Sequence, residues 1–531
     1  MSKLLHELLL DTASRYASHS ALVHKGSTLT YGALASQVED WARALVARGL
    51  ERHDRIAVFL PKQFETVIAI FGTARAGCVF VPVNPLLKAP QVEHILRDCA
   101  VRVLVTSSER LVALHQVLGN CPELRHVVLV DDNMAETPAP PAGIAFSRWN
   151  EWIAAGRSEL VHRVIDMDMV AILYTSGSTG RPKGVVLSHR NMVTGAESVA
   201  SYLENRPEDR LLAVLPFSFD YGFSQLSTAF TVGASVVLMD YLFPRDIVTM
   251  AARERITGLA GVPPLWSQLA ELDWPAESSQ HLRYITNSGG AMPGATLQKL
   301  RKALPRTQVF LMYGLTEAFR STYLPPSEID RRPGSIGKAI PNAEILVVRP
   351  DGSLCGPNEP GELVHRGSLV ALGYWNDPEK TAERFKPAPA RPGGLMIPEI
   401  AVWSGDTVRM DEEGFLYFIG RRDEMIKTSG YRVSPTEIEE VVFDSGLIKD
   451  AAAIGVPHPV LGQAIVLVAV PAAGKQPDDS ALLEVCRRQL PAYMVPARIE
   501  WRDSVPRNPN GKYDRARLAA ELKNLFTESD G

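Results

Sequence analysis

The feature that most constrains this chain is a loop rich in glycine and hydroxyl side chains at residues 174–184, with the sequence Tyr-Thr-Ser-Gly-Ser-Thr-Gly-Arg-Pro-Lys-Gly. The apolar run 169–174 before it is typical of a buried strand, and a second strand-like run, 185–189, follows it. Glycines let the backbone fold tightly and point N–H groups at an anion, while hydroxyls and a lysine add further donors. The loop therefore predicts a phosphate-binding site.

This loop is not of the Walker type, because no Gly-Lys-Ser/Thr follows its first glycine at the required spacing. A flexible surface linker is the alternative, but linkers seldom carry Arg-Pro-Lys-Gly between two strand-like runs. The candidate phosphate ligands are Thr175, Ser176, Gly177, Ser178, Thr179, Gly180 and Lys183.

The same loop resembles the signature loop of the AMP-forming acyl- and aminoacyl-activating enzymes. That superfamily includes acyl-CoA synthetases, adenylation domains of peptide synthetases and firefly-type luciferases. Its other motifs follow downstream in the expected order, so the resemblance covers nearly the whole chain. It implies ATP and Mg²⁺, and a thiol acceptor that is either CoA or the phosphopantetheine of an acyl carrier protein.

Length and periodicity predict the domain organisation. A chain of 531 residues is too long for one compact core. Helical and strand periods alternate up to about residue 165, which predicts crossover units on a largely parallel sheet, whereas 333–420 reads as short strands joined by turns. We expect an α/β fold with a large N-terminal domain (1–422) of layered, mostly parallel sheets, helices and a small β subdomain. A mobile α+β C-terminal domain (423–531) follows, and the resemblance implies a hinge at Asp423.

Composition excludes several other classes. The net charge of −4 does not suggest the basic domain that is typical of nucleic-acid binding, and the five scattered cysteines form no CxxC pair, as expected for reduced thiols. The apolar N-terminus is interrupted by His6, Glu7 and Asp11, which favours an amphipathic helix over a signal peptide. No window reaches the ~18–20 apolar residues that span a bilayer. We expect a cytoplasmic protein without a membrane span.

A second strong motif is Tyr-Gly-Leu-Thr-Glu at 313–317, directly after the apolar run 309–312. Ligands of open α/β sheets bind where such strands end. Thr316 can donate to the α-phosphate, and Glu317 can hold Mg²⁺ together with phosphate oxygens. The resemblance adds Tyr313 and Gly314 to the nucleotide site, and Gly314 also to the acid pocket. The alternative is a strand capped by a solvated glutamate.

Two further segments match nucleotide-binding positions of the superfamily. A Ser-Gly-Gly-Ala turn allows a flat ring to approach the backbone closely, and by resemblance it lines the adenine pocket. An aspartate suits both ribose hydroxyls because its carboxylate only accepts hydrogen bonds. The residues concerned are Ser288, Gly289, Gly290 and Ala291 for adenine, and Asp406 and Arg421 for ribose, with Ser404 standing where the superfamily usually has Thr.

Phe219 and Asp220 are the candidates for contacts with the substrate acid. An aspartate between aromatic residues is costly to bury without a partner, and a helix N-cap or a solvated turn would explain it equally well. Peptide-synthetase adenylation domains have a Phe-Asp pair here whose aspartate holds the substrate ammonium. The resemblance therefore implies a substrate that bears an amine.

The C-terminal region carries the remaining expectations, all by resemblance. Lys512, in a Gly-Lys-x-x-Arg ending, matches the mobile catalytic lysine, and Arg432 an arginine beside the phosphates. Gly430 and Tyr431 match the loop that approaches the pantetheine arm. Rotation about Asp423 would withdraw the lysine after the first step and bring this loop to the adenylate.

The implied reaction has two steps: attack of a carboxylate on the α-phosphorus of ATP, with loss of pyrophosphate, and thioester formation with release of AMP. There are four alternatives. An amino-acid adenylating enzyme would load a carrier protein, and a luciferase-type oxygenase would share the first step. A non-catalytic nucleotide-binding regulator would be free to lose Lys512, Glu317 and Asp406, all of which are intact. A Rossmann dehydrogenase lacks its GxGxxG.

Within the superfamily, segments 82–88, 217–222 and 313–320 are most similar to AMP-forming ligases encoded with exosortase-type bacterial systems. That likeness favours CoA or a carrier protein as acceptor and does not identify the acid.

Overall fold

The computed structural model describes residues 3–131, 138–154, 156, 158–175, 182–389, 394, 396–421, 424–428, 431–458, 461–490, 492–508 and 511–526. Helices and strands alternate through the first part of the chain, as the periodicity predicts. The elements up to residue 188 are α1 (Leu5–Tyr16), β1 (Ser20–His24), β2 (Ser27–Thr30), α2 (Tyr31–Ala47), β3 (Arg55–Phe59), α3 (Phe64–Arg75), β4 (Val79–Pro82), α4 (Ala89–Asp98), β5 (Val103–Thr106), α5 (Ser108–Leu118), β6 (His126–Leu129), β7 (Ala145–Arg148), α6 (Trp149–Ala154), β8 (Met169–Thr175) and β9 (Lys183–Ser188).

The alternation continues to the Tyr-Gly-Leu-Thr-Glu motif and then gives way to strands. The next elements are α7 (His189–Tyr202), β10 (Arg210–Ala213), α8 (Asp220–Val232), β11 (Ser235–Leu238), α9 (Pro244–Arg253), β12 (Gly258–Gly261), α10 (Pro263–Leu269), α11 (Ala276–His281), β13 (Tyr284–Asn287), α12 (Gly294–Ala303) and β14 (Gln308–Tyr313). They are followed by β15 (Thr322–Leu324), β16 (Ser335–Ala339), β17 (Ala343–Val348), β18 (Gly361–Gly367), β19 (Gly373–Tyr374), α13 (Pro378–Arg384), β20 (Phe385–Pro387), β21 (Ile400–Met410) and β22 (Leu416–Arg421).

The first sheet has the strand order β19-β9-β8-β4-β3-β5-β6-β7. Its pairs from β8 to β7 are parallel, whereas β8–β9 and β9–β19 are antiparallel. Strands β4 and β5 are buried along their whole length, because helices and the second sheet cover both faces. The phosphate loop thus joins the two strands of an antiparallel hairpin at one end of a parallel sheet.

The second sheet runs in the order β17-β18-β21-β22-β16-β15-β14-β13-β12-β10-β11-β1-β2, with β20 beside β21. Strands β14, β13, β12, β10, β11 and β1 are parallel neighbours, and the remaining pairs are antiparallel. The β-rich region is therefore continuous with the large sheet through β16 and β15. The short strand β19, which we expected inside that region, pairs instead with β9 in the first sheet.

One apolar core joins the two sheets, with α3 and α8 inside it. Phe80 of β4 stacks on Phe223 of α8 at 5.4 Å between ring centroids, and Phe71 of α3 lies 6.0 Å from the same ring. Helix α8 can approach its own preceding loop closely because Gly222 has no Cβ, which would lie 2.0 Å from the Pro216 carbonyl oxygen. This packing fixes the N-terminus of α8, where Asp220 lies.

The C-terminal region forms its own sheet in the order β24-β23-β26-β25, with β27 beside β26. Its elements are β23 (Ile426–Thr428), β24 (Tyr431–Val433), α14 (Pro435–Asp444), β25 (Ile448–His458), β26 (Gly462–Pro471), α15 (Asp479–Gln489), β27 (Arg498–Trp501) and α16 (Arg515–Glu521). Separate apolar clusters cover the two faces of this sheet. Within the described residues, no helix is both long and apolar enough to cross a lipid bilayer.

Candidate active site

The predicted nucleotide motifs meet at one edge of the second sheet. Strands β10, β12, β13 and β14 are parallel, so their carboxyl ends lie side by side. The Ser-Gly-Gly-Ala turn follows β13, the Tyr-Gly-Leu-Thr-Glu motif ends β14, and Asp220 follows β10. Because ligands of α/β sheets bind at such an edge, these segments form one candidate site.

The phosphate hairpin is held by residues from far along the chain. Thr175 pairs with Lys183 where the two strands meet the loop. The backbone N–H of Trp375, which follows β19, donates to the Gly184 carbonyl at 2.7 Å. A Cβ on Gly184 would lie 2.6 Å from Ile172, so glycine is required for this close packing.

The hairpin and the carboxylate of Glu317 are linked through Tyr374 of β19. The Tyr374 hydroxyl donates to Glu317 Oε1 at 2.6 Å, and the Lys183 ammonium lies 5.7 Å from the Tyr374 ring centroid. Burial, and then the charge of Glu317, raise the pKa of Tyr374, so its hydroxyl stays protonated and acts as the donor. The tyrosine thus orients the predicted metal ligand.

Asp220 is the first residue of α8, after Phe219 at the N-cap position. Its carboxylate is buried and accepts from Thr316 Oγ1 at 3.4 Å and from Arg320 Nη1 at 3.3 Å. Burial raises the pKa of Asp220, and the charges of Arg320 and, more weakly, Lys512 oppose that rise. The sequence singled out Asp220 as a buried acid that needs a partner, and that partner is Arg320.

At the adenine candidate, Ser288 is buried, whereas Gly289, Gly290 and Ala291 are exposed. Gly289 has φ +83°, a conformation that favours glycine, and the side-chain amide of Asn287 donates to the Gly290 carbonyl at 2.9 Å. The turn therefore presents open backbone beside the end of β14.

The ribose candidate Asp406 is buried on β21, and its carboxylate accepts a hydrogen bond from the Tyr313 hydroxyl. Ser404 supports it, since its hydroxyl accepts from the Asp406 N–H at 3.0 Å and donates to the Leu363 carbonyl at 2.7 Å. Asp406 lies directly opposite Arg421 in the β21–β22 register. The structure thus joins Tyr313 of β14 to Asp406 of the β-rich region.

Lys512 lies on the loop between β27 and α16, where its N–H donates to Asn508 Oδ1 at 3.1 Å. Arg507 anchors this loop by binding both carboxylate oxygens of Asp450 at 2.9 and 2.8 Å. These contacts tie the loop that carries Lys512 to β25, which contains Asp450.

Two parts of the chain match known protein families. The family described as "AMP-binding enzyme" matches residues 9–375, and "AMP-binding enzyme C-terminal domain" matches residues 437–512. The chain belongs to the AMP-binding enzyme family.

Relatives in this family cover nearly the whole chain. The long-chain-fatty-acid–CoA ligase of Salmonella typhimurium is 32% identical over 98% of this chain and 94% of its own length. The anthranilate CoA ligase AuaEII in complex with anthranoyl-AMP superposes with a TM-score of 0.87 at 25% identity, covering 99% of this chain and 98% of that one.

A third relative is the O-succinylbenzoate coenzyme A synthetase MenE of Bacillus subtilis, in complex with ATP and magnesium ion. It gives a TM-score of 0.80 at 25% identity and covers 96% and 99% of the two chains. These likenesses confirm the predicted α/β architecture with its smaller C-terminal domain.

The residues present fit a magnesium ion. Glu317 provides a half-buried carboxylate whose orientation is fixed by Tyr374. No cluster of three or more His, Cys, Asp or Glu side chains that could hold a metal occurs in the described part of the chain. This donor set suits Mg²⁺, which often takes one protein carboxylate and completes its shell with phosphate oxygens and water.

Several predicted site residues lie outside the described residues, namely Ser176, Gly177, Ser178, Thr179, Gly180, Asp423 and Gly430. Tyr431 and Arg432 are placed by their backbone in β24, and Arg421 by its backbone at the end of β22. The roles assigned to these residues stay predictions.

Sequence reasoning missed two residues at the site, Tyr374 and Arg320. Tyr374 was counted only among the short strands of the β-rich region, and Arg320 only within a stretch similar to one subgroup. A charged residue directly after the apolar pair Ala318 and Phe319, three positions beyond Glu317, was the available signal for Arg320.

Proposed function

We propose that this protein is an ATP-dependent acid–thiol ligase that forms an acyl-adenylate and then a thioester. The observation that carries the proposal is the meeting of Thr316, Glu317 and Asp220 after the parallel strands, with the Glu317 carboxylate oriented by Tyr374. The predicted mobile lysine, Lys512, suits a reaction in which two anions, a carboxylate and the α-phosphate, must meet.

In the first step, an oxygen of the acid attacks the α-phosphorus of ATP, and the bond to the leaving pyrophosphate breaks. Lys512 offsets the charge of the approaching oxygens, and Thr316 donates to the α-phosphate. Thr175 and Lys183, the last pair of the hairpin before the loop, hold the pyrophosphate. Glu317 would hold the Mg²⁺, which supplies charge neutralisation to the phosphates when bound. The work is positioning and electrostatics.

In the second step, a thiol attacks the acyl carbon of the adenylate, and AMP leaves. Lys512 has no function in this step, which is consistent with the predicted rotation of the C-terminal domain about Asp423 towards a form with Gly430 and Tyr431 near the adenylate. CoA is the acceptor in the activities for which the relatives are named, and a carrier protein is the other candidate.

Acid-dependent exchange of pyrophosphate into ATP, with Mg²⁺, tests the first step. The panel contains fatty, aromatic, hydroxy and amino acids, and CoA or a phosphopantetheinylated carrier protein is then added to measure thioester. Exchange without a thioester from either acceptor would limit the function to adenylation. ATP binding without exchange from any acid would contradict the proposal.

A second candidate function is adenylation of an amino acid for loading onto a carrier protein. The buried carboxylate of Asp220, next to Thr316, is the observation that favours it. Under this alternative Asp220→Ala raises the KM for the amino acid far more than the KM for ATP, since an ion pair is lost. The exosortase-associated subgroup and a cytoplasmic location also stay predictions.

A further inference from the structure

Arg320 is a charged side chain enclosed at the candidate site with unused hydrogen-bond donors. The residue is 1% exposed, which is exceptional for an arginine. Its Nη1 donates to Asp220 at a long 3.3 Å, while Nε and Nη2 are buried and have no hydrogen-bond partner among the described residues. Buried donors are normally satisfied, and an arginine can only donate.

The backbone is strained where it delivers this side chain. Phe319 has φ +55° and ψ −48°, and the Arg320 N–H donates to the Ala318 carbonyl at 2.5 Å, so the three residues form a γ-turn of the strained, positive-φ form. The Phe319 ring fits only because residue 195 is glycine, since a Cβ there would lie 2.3 Å from Phe319 Cδ1. Strain of this kind persists where the surroundings enforce it, and it clusters at functional sites.

The guanidinium borders the residues that serve the reaction. A Cβ on Gly314 would lie 3.5 Å from Arg320 Nη1, so the group lies beside the backbone of the Tyr-Gly-Leu-Thr-Glu motif. Its other face covers the ring of Tyr221, with 4.5 Å from Cζ to the ring centroid. Asp220 shares its carboxylate between Arg320 and Thr316, through one long contact each. Because the contact between Arg320 and Asp220 is long, the ion pair is weak.

We propose that Arg320 determines specificity by donating from Nε and Nη2 to an oxygen that the acid carries in addition to the carboxylate that reacts. The preferred substrates are then hydroxy, oxo or dicarboxylic acids, and plain acyl chains leave both donors unpaired. The assignment rests on the proposed function, because it names the class of acid activated at the same site. This role differs from the one predicted for Asp220, which is to hold a substrate ammonium. An ammonium cannot accept a hydrogen bond from Arg320, and it would be repelled by the Arg320 charge that is already paired with Asp220.

The test measures kcat/KM for pyrophosphate exchange with pairs of acids that differ by one oxygen-bearing group, in short, long and aromatic series. Wild-type protein should prefer the oxygen-bearing member by about ten-fold or more, because a site that hydrogen-bonds a polar group rejects the analogue that lacks it. Arg320→Met should bring that ratio close to one. The variant should change kcat/KM less for the plain acid than for the oxygen-bearing acid.

Arg320→Lys keeps the positive charge opposite Asp220 and removes the planar pair of donors, so it should fold and also lose the preference. Arg301→Met, which breaks an exposed ion pair with Asp330, is the matched control and should keep the wild-type ratio. Melting temperature and ATP binding verify that each variant is folded.

Three outcomes overturn the assignment. The wild-type protein could use the plain acid as well as its oxygen-bearing partner. Both Arg320 variants could slow the two acids by the same factor, which would make the arginine a scaffold for Asp220. A preference for the 2-amino acid over both the plain acid and the oxygen-bearing acid would assign the selectivity to Asp220. Absence of exchange with every acid is a different result, because it removes the proposed function and the assignment of Arg320 with it.

Discussion

The hydroxyl of Tyr374, in strand β19 of the first sheet, donates to Oε1 of Glu317, in the turn after β14 of the second sheet, at 2.6 Å, although the two residues are 57 positions apart. This contact places the predicted metal ligand against the strand that covers the phosphate hairpin. The predicted pyrophosphate-binding and metal-binding parts of the site are therefore connected by a single side chain.

Tyr374→Phe should weaken the response to Mg²⁺ while leaving the fold intact. A hydrogen bond to a charged group contributes about 1.5–3 kcal/mol, so the Mg²⁺ concentration for half-maximal pyrophosphate exchange should rise about ten-fold or more. Tyr417→Phe is the matched control, since the Tyr417 hydroxyl contacts Asp411 away from the site at 3.4 Å. An unchanged Mg²⁺ titration in Tyr374→Phe would remove the orienting role.

Lys512→Ala should separate the two half-reactions. Loss of one preorganised charge at a developing anion lowers the rate about 10²–10³-fold, and we expect that loss in adenylate formation only. Thioester formation from a supplied acyl-adenylate should stay near the wild-type rate. Lys523→Ala, at an exposed position of the same domain, serves as the control. Equal losses in both half-reactions would contradict the predicted alternation of the C-terminal domain.

Asp406→Asn tests the ribose assignment. Asparagine can still accept from the Tyr313 hydroxyl, so the local structure should survive, but one charged acceptor for the ribose is lost. We expect the KM for ATP to rise about ten-fold, as for a hydrogen bond to a charged group. The discrimination between ATP and 2′-deoxy-ATP should also shrink. If the variant still distinguishes the two nucleotides as well as the wild type, Asp406 does not contact the ribose. Asp351→Asn, in an exposed turn, is the control.

His189 makes the fold sensitive to acid. Burial lowers its pKa from the ordinary 6.5 to about 4, and its Nδ1 accepts from the Leu5 N–H at 2.9 Å, which requires the neutral ring. Since the folded pKa lies below the unfolded one, the stabilisation is complete above pH 6.5 and is lost as the pH falls towards 4. Linkage sets that loss at about 3 kcal/mol.

The measurement is the free energy of unfolding against pH for the wild type and His189→Asn, which retains an acceptor but does not titrate. The asparagine variant should lose less stability than the wild type between pH 6.5 and 4. Parallel curves for the two proteins would rule out His189 as the cause. His115→Asn, on the surface helix α5, is the control, and its free energy of unfolding should depend on pH as that of the wild type does.

Periodicity predicted the elements well wherever neighbouring residues decide the structure. The expected strand 169–174 corresponds to β8, Met169–Thr175, and the apolar run 309–312 lies in β14, Gln308–Tyr313. The place of strand β19 in the first sheet could not be predicted in this way. The strand has two residues, and its partner β9 precedes it by almost 190 positions, so its place depends on tertiary packing.

At the candidate site, too, the local sequence predicted one part of the arrangement and tertiary packing decided the other. The type of residue was enough to single out Asp220, because a buried carboxylate needs a partner. The partner itself, Arg320, lies 100 positions away and reaches Asp220 only through the γ-turn at Phe319. No local sequence pattern predicts a positive φ at a phenylalanine, since the surrounding structure imposes this conformation.

The pairing of β19 with β9 also sets an order for biosynthesis. The outer edge of the hairpin that carries the phosphate loop is completed by Gly373 and Tyr374. During translation, the first sheet therefore keeps an open edge until the ribosome has released more than two thirds of the chain. A nascent chain that stalls before this point leaves β9 unprotected, and such an edge can pair with another polypeptide.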